Sequence, residues 1–399
     1  MSKKLWRVGH RELDYIKEAI DSGLTGIMNQ RLEEKFAEKF GVKYAIGVNS
    51  GTSALHCCLA AMGIGPGDEV IVPPLTFISP AFAVLYLGGV PVFADIDPDT
   101  FTIDPEDIRK KITPRTKAII PVALYGLPAD MDPIMEIAAS NNLFVLEDSA
   151  ESILSKYKGS FSGTIGDMGI FSFERSKHIT TGNGGMIITN NEELAERARR
   201  FSVLGYSTLK AGAYETKPSK DVIQDPDFSR HLFVAPNYRL PEVCAAMALA
   251  QLEKLDEFVK RRIDIAKLYS EAVQNCDWLK PQKVPEGVVN TYWTYAMKLE
   301  GEDRGISWRH FRKTYLEHGG DPFYAAWKLS YMEPALSGME FRESGIKYEK
   351  GLCPIAEEIQ PKMIQLKTNY GDMEYAKRQA LALEETIKKL MDLKRGERR

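Results

Sequence analysis

From Tyr44 onward the chain alternates short, unbroken apolar runs with helical patterns. The runs are Tyr44–Val48, Glu69–Val72, Pro91–Ala94, Lys117–Val122, Leu143–Leu146, Met168–Phe173 and Met186–Thr189. Continuous rather than alternating apolarity describes strands covered on both faces. Several runs are separated by helical stretches of crossover length. The pattern predicts an α/β fold whose large domain is built on a mostly parallel, helix-flanked, seven-stranded sheet. Ahead of it, Glu12–Ile20 and Arg31–Phe40 carry apolar residues at three-to-four spacing and are separated at Ser22-Gly23, which predicts two packing helices. Beyond it, Pro241 is placed to open a long helix with an apolar stripe of Val243, Met247, Ala250, Leu255, Phe258 and Val259. Asn290–Leu299 reads as a strand, and residues 372–393 as a last amphipathic helix running into the tail KRGERR. The expected division is a large domain over residues 1–240 and a smaller C-terminal α/β domain over 241–399.

In a sheet of this kind ligands gather beyond the carboxyl ends of the strands. Four polar or aromatic groups fall there. After the first run comes Asn49-Ser50-Gly51-Thr52-Ser53, followed by the helical run Ala54–Met62. Small residues and hydroxyls at a helix N-terminus make an anion site, although a plain N-cap by Ser50 or Thr52 uses the same residues. Phe77 stands just past the second run, where it either stacks on a planar ring or packs in the core. Asp148 follows four apolar residues; a carboxylate buried there needs a cation or several donors, unless it is a helix cap in competition with Ser149. Finally, FSFERSKHITTGNGGM sets Lys177 on a connection rich in glycine (Gly182, Gly184, Gly185) between two buried strands. A lysine held in a poorly solvated site is a nucleophilic amine, whereas one at a hairpin tip is merely solvated. One ligand accounts for all four features. Pyridoxal phosphate (PLP) has a phosphate for Gly51–Ser53, a flat ring for Phe77, a basic ring nitrogen for Asp148 and an aldehyde for Lys177.

Composition narrows the classes without adding chemistry. The chain has 399 residues, 44% hydrophobic and 27% charged, with a net charge of −3. That balance gives no electrostatic case for nucleic acid or an anionic membrane. No apolar stretch is long enough to span a bilayer, and MSKKLWRVGH lacks the apolar core of a secretory signal. The five cysteines (Cys57, Cys58, Cys244, Cys276, Cys353) are scattered, with no zinc-ligand spacing. A cytoplasmic protein without a metal is expected.

The motifs NSGTSAL, GDEVIVPPLTF, GVPVFADID, LYGLPADMD, EDSAES, GTIGDMGIFSF and KHITTGNGG, followed by NYRLPEVCAAMALAQLEKLDEF, run in this order along the chain. Together they resemble the PLP-dependent sugar aminotransferases of the DegT type, which share the aspartate-aminotransferase fold. The resemblance implies that Lys177 carries PLP, that Asp148 faces the pyridine nitrogen, and that Phe77 lies against the ring. It implies that Thr52, Ser53 and Ser172 hold the phosphate, with Gly51 in the same turn. Glu151 stands where the family often has Gln or His near the PLP hydroxyl. Asn237 matches an asparagine that reaches the phosphate from a neighbouring subunit, which implies a homodimer with shared active sites. The implied activity is amino transfer from a donor, glutamate by family habit, to a keto sugar linked to a nucleotide, with Lys177 shuttling the proton. Cyclitol ketones are also family substrates. Family members with His in place of the lysine are dehydratases; here lysine holds that place, and the adjacent His178 reads as structural. A non-catalytic PLP-binding regulatory protein is the remaining alternative. The chain departs from the family's TGEGG at Asn183. Its least family-like stretch, Tyr206–Ala235, carries Lys210, Lys217, Lys220 and Arg230 and either meets a substrate diphosphate or packs on a dimer partner.

Overall fold

The computed structural model describes residues 6–212 and 219–396. All seven expected strands form one sheet, in the order Tyr44–Val48, Gly185–Thr189, Met168–Ser172, Phe144–Asp148, Thr116–Ile119, Glu69–Val72, Val90–Phe93. Gly185–Thr189 is antiparallel to both of its neighbours, and the others run in one direction. Because strand side chains alternate between faces, each apolar run feeds two cores. Val70, Val72, Ala118, Ile120 and Leu146 meet the Gly51–Ala61 helix on one face. Ile71, Ile119 and Val145 meet the Met131–Asn141 helix on the other. Toward the first strand that second face is covered by the Ile27–Phe40 helix, whose Met28, Leu32 and Phe36 pack on Phe171, Met186 and Ile188.

A smaller antiparallel sheet joins Leu279–Pro281, Thr294–Leu299 and Met363–Lys367. The Leu255–Val273, Trp308–Glu317 and Met373–Gly396 helices pack with it into a separate core containing Trp278, Tyr269, Phe311 and Leu383. From there the chain returns to the large sheet: Leu329, Tyr331, Tyr348, Cys353 and Ile359 are buried against Phe93 and its neighbours. The Asp95 carboxylate fixes this return by accepting from the backbone N–H groups of Ile355 (2.8 Å) and Ala356 (2.9 Å).

Three local expectations are corrected. The single long helix after Pro241 is two helices, Glu242–Leu252 and Leu255–Val273, with Pro241 capping the first from an extended conformation. The first has no stripe: Ala245, Ala246, Ala248, Leu249 and Ala250 are all buried, and Val243 is exposed. Its alanines let it lie closely against the two N-terminal helices. The expected strand 290–299 begins only at Thr294, because Tyr292 takes a left-handed conformation (φ 48°) and the Asn290 carboxamide oxygen caps its N–H at 2.7 Å. Within 206–235 there is a short helix, Lys220–Gln224, and Lys210 pairs with Glu196 at 3.6 Å. Lys217 lies outside the described residues. Among the described residues, no helix is long and apolar enough to cross a membrane.

The strand that leads to Lys177 has no room for a side chain at its second residue. A Cβ on Gly169 would lie 2.1 Å from the Gly163 carbonyl oxygen and 2.5 Å from its Cα, both backbone atoms. Gly169→Ala is therefore expected to lower unfolding free energy by about 3 kcal/mol, the upper range for overpacking. Urea unfolding of the two proteins measures this, and an unchanged midpoint would contradict it.

Candidate active site

Asp148 ends the Phe144–Asp148 strand and is only 5% exposed. Its Oδ1 accepts one backbone bond, from Ala150 N–H at 3.1 Å. Burial pushes its pKa up to about 6, against the opposing pull of the Ala150 N–H and of Lys177. One turn on, Glu151 is also buried. Its Oε2 accepts from the Tyr125 N–H at 3.0 Å, and its Oε1 accepts from Lys177 Nζ at 3.1 Å. The Lys177 ammonium also lies 4.3 Å from the centre of the Trp293 ring. The amine thus sits between a carboxylate and an indole face, beside a second carboxylate.

The turn carrying Lys177 is held from several directions. Phe173 N–H donates to the Gly184 carbonyl (2.8 Å), and Thr181 N–H to the Phe173 carbonyl (3.0 Å). Gln251 brackets Thr180, accepting from its N–H at 2.9 Å and donating to its carbonyl at 2.7 Å. Two arginines, each 1% exposed, bind the carbonyls of the turn. Arg7 donates to those of Arg175 (2.9 Å), His178 (2.6 Å) and Lys177. Arg262 donates to those of Ser176 (3.2 Å), Lys177 (3.3 Å) and Trp293 (2.8 Å), and to the Thr368 hydroxyl (3.1 Å). Trp293 Nε1 adds a bond to the Ser176 carbonyl at 3.0 Å. Burial lowers the pKa of Arg7 to about 10 despite Glu174, and burial together with Arg7 lowers that of Arg262 well below the usual range. His178 is buried on the far side with Nε2 at 3.0 Å from the Thr291 carbonyl, and burial drives its pKa well down. It is the structural histidine expected. Asn183 is exposed, and the turn is closed instead by Thr181 Oγ1 donating to the Asn183 carbonyl at 2.6 Å.

The hydroxyl turn lies against the same strands. Ser50 is the N-cap, accepting from Ser53 N–H at 3.0 Å. Ser53 Oγ donates to Asn49 Oδ1 (2.6 Å), and Thr52 Oγ1 shares a bond with Ser79 Oγ (2.7 Å). A Cβ on Gly185 would lie 2.7 Å from the Ser50 carbonyl carbon, so glycine is required there, and one on Gly51 would lie 3.1 Å from Ser172 Cβ, a tight contact that glycine avoids. Ser172 Oγ, which accepts from Glu174 N–H at 3.3 Å, is thereby brought to the turn. Capping and anion binding are compatible here: Ser50 caps, while Thr52, Ser53 and Ser172 gather at the first-turn amides.

Phe77 is not core. It is 53% exposed and meets Trp327 edge-on, with ring centres 5.8 Å apart. Asn237 is exposed, its carboxamide oxygen accepting from Arg239 Nε at 3.0 Å. Arg7, Arg262, Trp293, Trp327 and Tyr125 were missed from the sequence. A tryptophan in NTYWTYAMKL was the one available signal. Tyr125 has a left-handed backbone (φ 60°), and its buried hydroxyl has no hydrogen-bond partner among the described residues.

These residues fit PLP. An ionised carboxylate accepts only, and Asp148 is buried with one donor, so a protonated ring nitrogen completes it. The hydroxyl turn suits a phosphate, and the enclosed amine of Lys177 suits an aldehyde. Fold and site together define a PLP enzyme of the aspartate-aminotransferase architecture. The chain matches the DegT/DnrJ/EryC1/StrS aminotransferase family over residues 7–379 and belongs to that family. It is a PLP-dependent aminotransferase. It is 42% identical over 290 residues to the GDP-perosamine synthase of Escherichia coli O157:H7, covering 72% of this chain and 74% of that one. It is 42% identical over 300 residues to the GDP-perosamine synthase of Caulobacter vibrioides, covering 73% and 76%. Its structure is similar to the crystal structure of an aminotransferase from Psychrobacter cryohalolentis, with a TM-score of 0.86, 29% identity and coverage of 96% and 98%.

The raised pKa of Asp148 has a definite sign in stability. In protein freed of cofactor, the folded state holds this proton up to pH about 6, against 3.8 for the ordinary group. The carboxyl therefore favours the fold below pH 4 and withdraws up to about 3 kcal/mol as pH rises through 6. Asp148→Asn should flatten that part of the profile in urea unfolding of the apoprotein between pH 4.5 and 7. A profile parallel to wild type would contradict the assignment.

Proposed function

We propose that the protein transfers an amino group from an amino-acid donor, glutamate, to a keto sugar carried on a nucleotide, and that it does so in the cytoplasm as a homodimer with shared sites. The observation that carries this reading is the Lys177 amine, fixed 3.1 Å from Glu151 and beside buried Asp148 at the carboxyl edge of the sheet. The relatives named GDP-perosamine synthase support a sugar nucleotide, and guanosine diphosphate as the carrier.

Bound PLP supplies an electron sink and carries the amino group between donor and acceptor. Lys177 holds the cofactor at rest; once freed, its amine is the acid and base that moves a proton at the carbon bearing the amino group. Asp148 keeps the ring nitrogen protonated. Thr52, Ser53 and Ser172, with the amide of Gly51, hold the phosphate, and Phe77 covers the ring. Glu151 receives the Lys177 ammonium when that amine is free and would serve the cofactor hydroxyl. Asn237 serves the phosphate of the partner subunit. Its exposure supports this, as do the exposed apolar residues just before it in the chain, Leu232, Phe233 and Val234. Lysine rather than histidine at 177 argues against a dehydratase.

Incubation with glutamate and a GDP-linked keto sugar should yield the amino sugar, read by mass spectrometry. Lys177→Ala is expected to lose at least a thousandfold in turnover while sedimenting as a dimer. Retained turnover would sink the role of Lys177, and a monomeric wild type would sink the shared site.

A further inference from the structure

The aromatic wall beside Lys177 continues past the catalytic cluster. Trp327 stacks on Trp293 (5.8 Å, 19°) and meets Phe77 edge-on (5.8 Å, 71°). Phe77 and Trp327 then line a cavity of about 390 Å³ together with Phe82, Lys328, Ser330 and Glu333. That volume lies within the range of small-ligand sites. The two loops that form the cavity are tied by Ser330 N–H donating to the Pro74 carbonyl at 3.0 Å. Its walls are mostly apolar and aromatic. Two charged side chains line it, Lys328 and half-buried Glu333, and neither has a side-chain partner among the described residues.

An aromatic face in a cavity accepts any flat heterocycle, because stacking is sequence-tolerant. Choice comes from the hydrogen-bonding edge. An ionised carboxylate accepts and never donates. Guanine offers two neighbouring donors, N1–H and the N2 amino group. Adenine and cytosine place an acceptor beside their donor, and uracil and thymine flank theirs with carbonyls. Glu333 therefore matches guanine with two charge-assisted bonds and meets a repelling lone pair on adenine, cytosine, uracil and thymine.

We propose that this cavity binds the guanine of a guanosine diphosphate-linked acceptor, with Glu333 reading the base edge and Lys328 available to the diphosphate. The proposal rests on the reading of the protein as a sugar-nucleotide aminotransferase, and it assigns the residue that selects the nucleotide.

The test is calorimetric titration of the wild-type holoenzyme and of Glu333→Gln with GDP, IDP, UDP, dTDP and ADP. Wild type should bind GDP at least about tenfold more tightly than UDP, dTDP or ADP, the scale of one bidentate contact. IDP lacks the N2 amino group and should also bind more weakly than GDP, a comparison that needs no variant. Glu333→Gln should bring GDP to within about threefold of the other nucleotides. Equal binding of GDP and IDP by wild type, or a GDP preference that survives Glu333→Gln, would overturn the proposal. The reaction of wild type with glutamate is followed in parallel. Its absence alongside a GDP preference would remove the aminotransferase reading and leave the guanine pocket standing.

Discussion

Two buried guanidiniums, neither in direct contact with a carboxylate among the described residues, hold the turn on which Lys177 stands. Removing a cation from water costs several kcal/mol, recovered only where its donors are well satisfied. Here the terminal nitrogens of both donate to main-chain carbonyls, from Arg175 to His178, while each Nε is buried without a partner among the described residues; the bonds that are made fix the backbone of one short segment. A lysine in either place would lack the planar fork that bridges neighbouring carbonyls. The two arginines come from distant parts of the chain. Arg7 precedes the first helix, and Arg262 lies on the Leu255–Val273 helix that packs on the smaller sheet. Both must be folded into place before the turn is complete. The position of Lys177 thus depends on the whole chain and not on its hairpin alone.

Around that fixed turn the charges are arranged by burial. Asp148 and Glu151 are both inside, and Lys177 is the cation they share. Two carboxylates facing one amine suit a ligand that brings a positive charge with it. The Trp293 indole closes the other side of the amine and also bonds the Ser176 carbonyl, so one side chain both shields the amine and braces its loop.

The sheet was legible because each strand is an unbroken apolar run, and the hydroxyl turn because glycine and serine sit where a strand gives way to a helix. Lys177 and Asp148 were legible for the same reason: they follow those runs closely, and the topology brings the ends of the runs together; Glu151 was indicated only by the family resemblance. The break at Glu253-Lys254 was not, since neither residue is a helix breaker and the apolar pattern passes through it. Arg7 and Arg262 were invisible, because an isolated arginine before a helix and one of a pair on a charged helix both look solvated. Their burial is decided by contacts across the fold, which local pattern does not contain. Phe77 and Trp327 show the same limit. Nothing in the sequence indicates that two aromatics from distant loops meet at the rim of the site.

The most direct test of this account is to reduce the PLP-loaded protein with borohydride and map the labelled peptide by mass spectrometry. The account predicts a single pyridoxyl group, on Lys177. Label on another lysine, or no label in protein saturated with PLP, would contradict it and leave the clamped turn without a catalytic role.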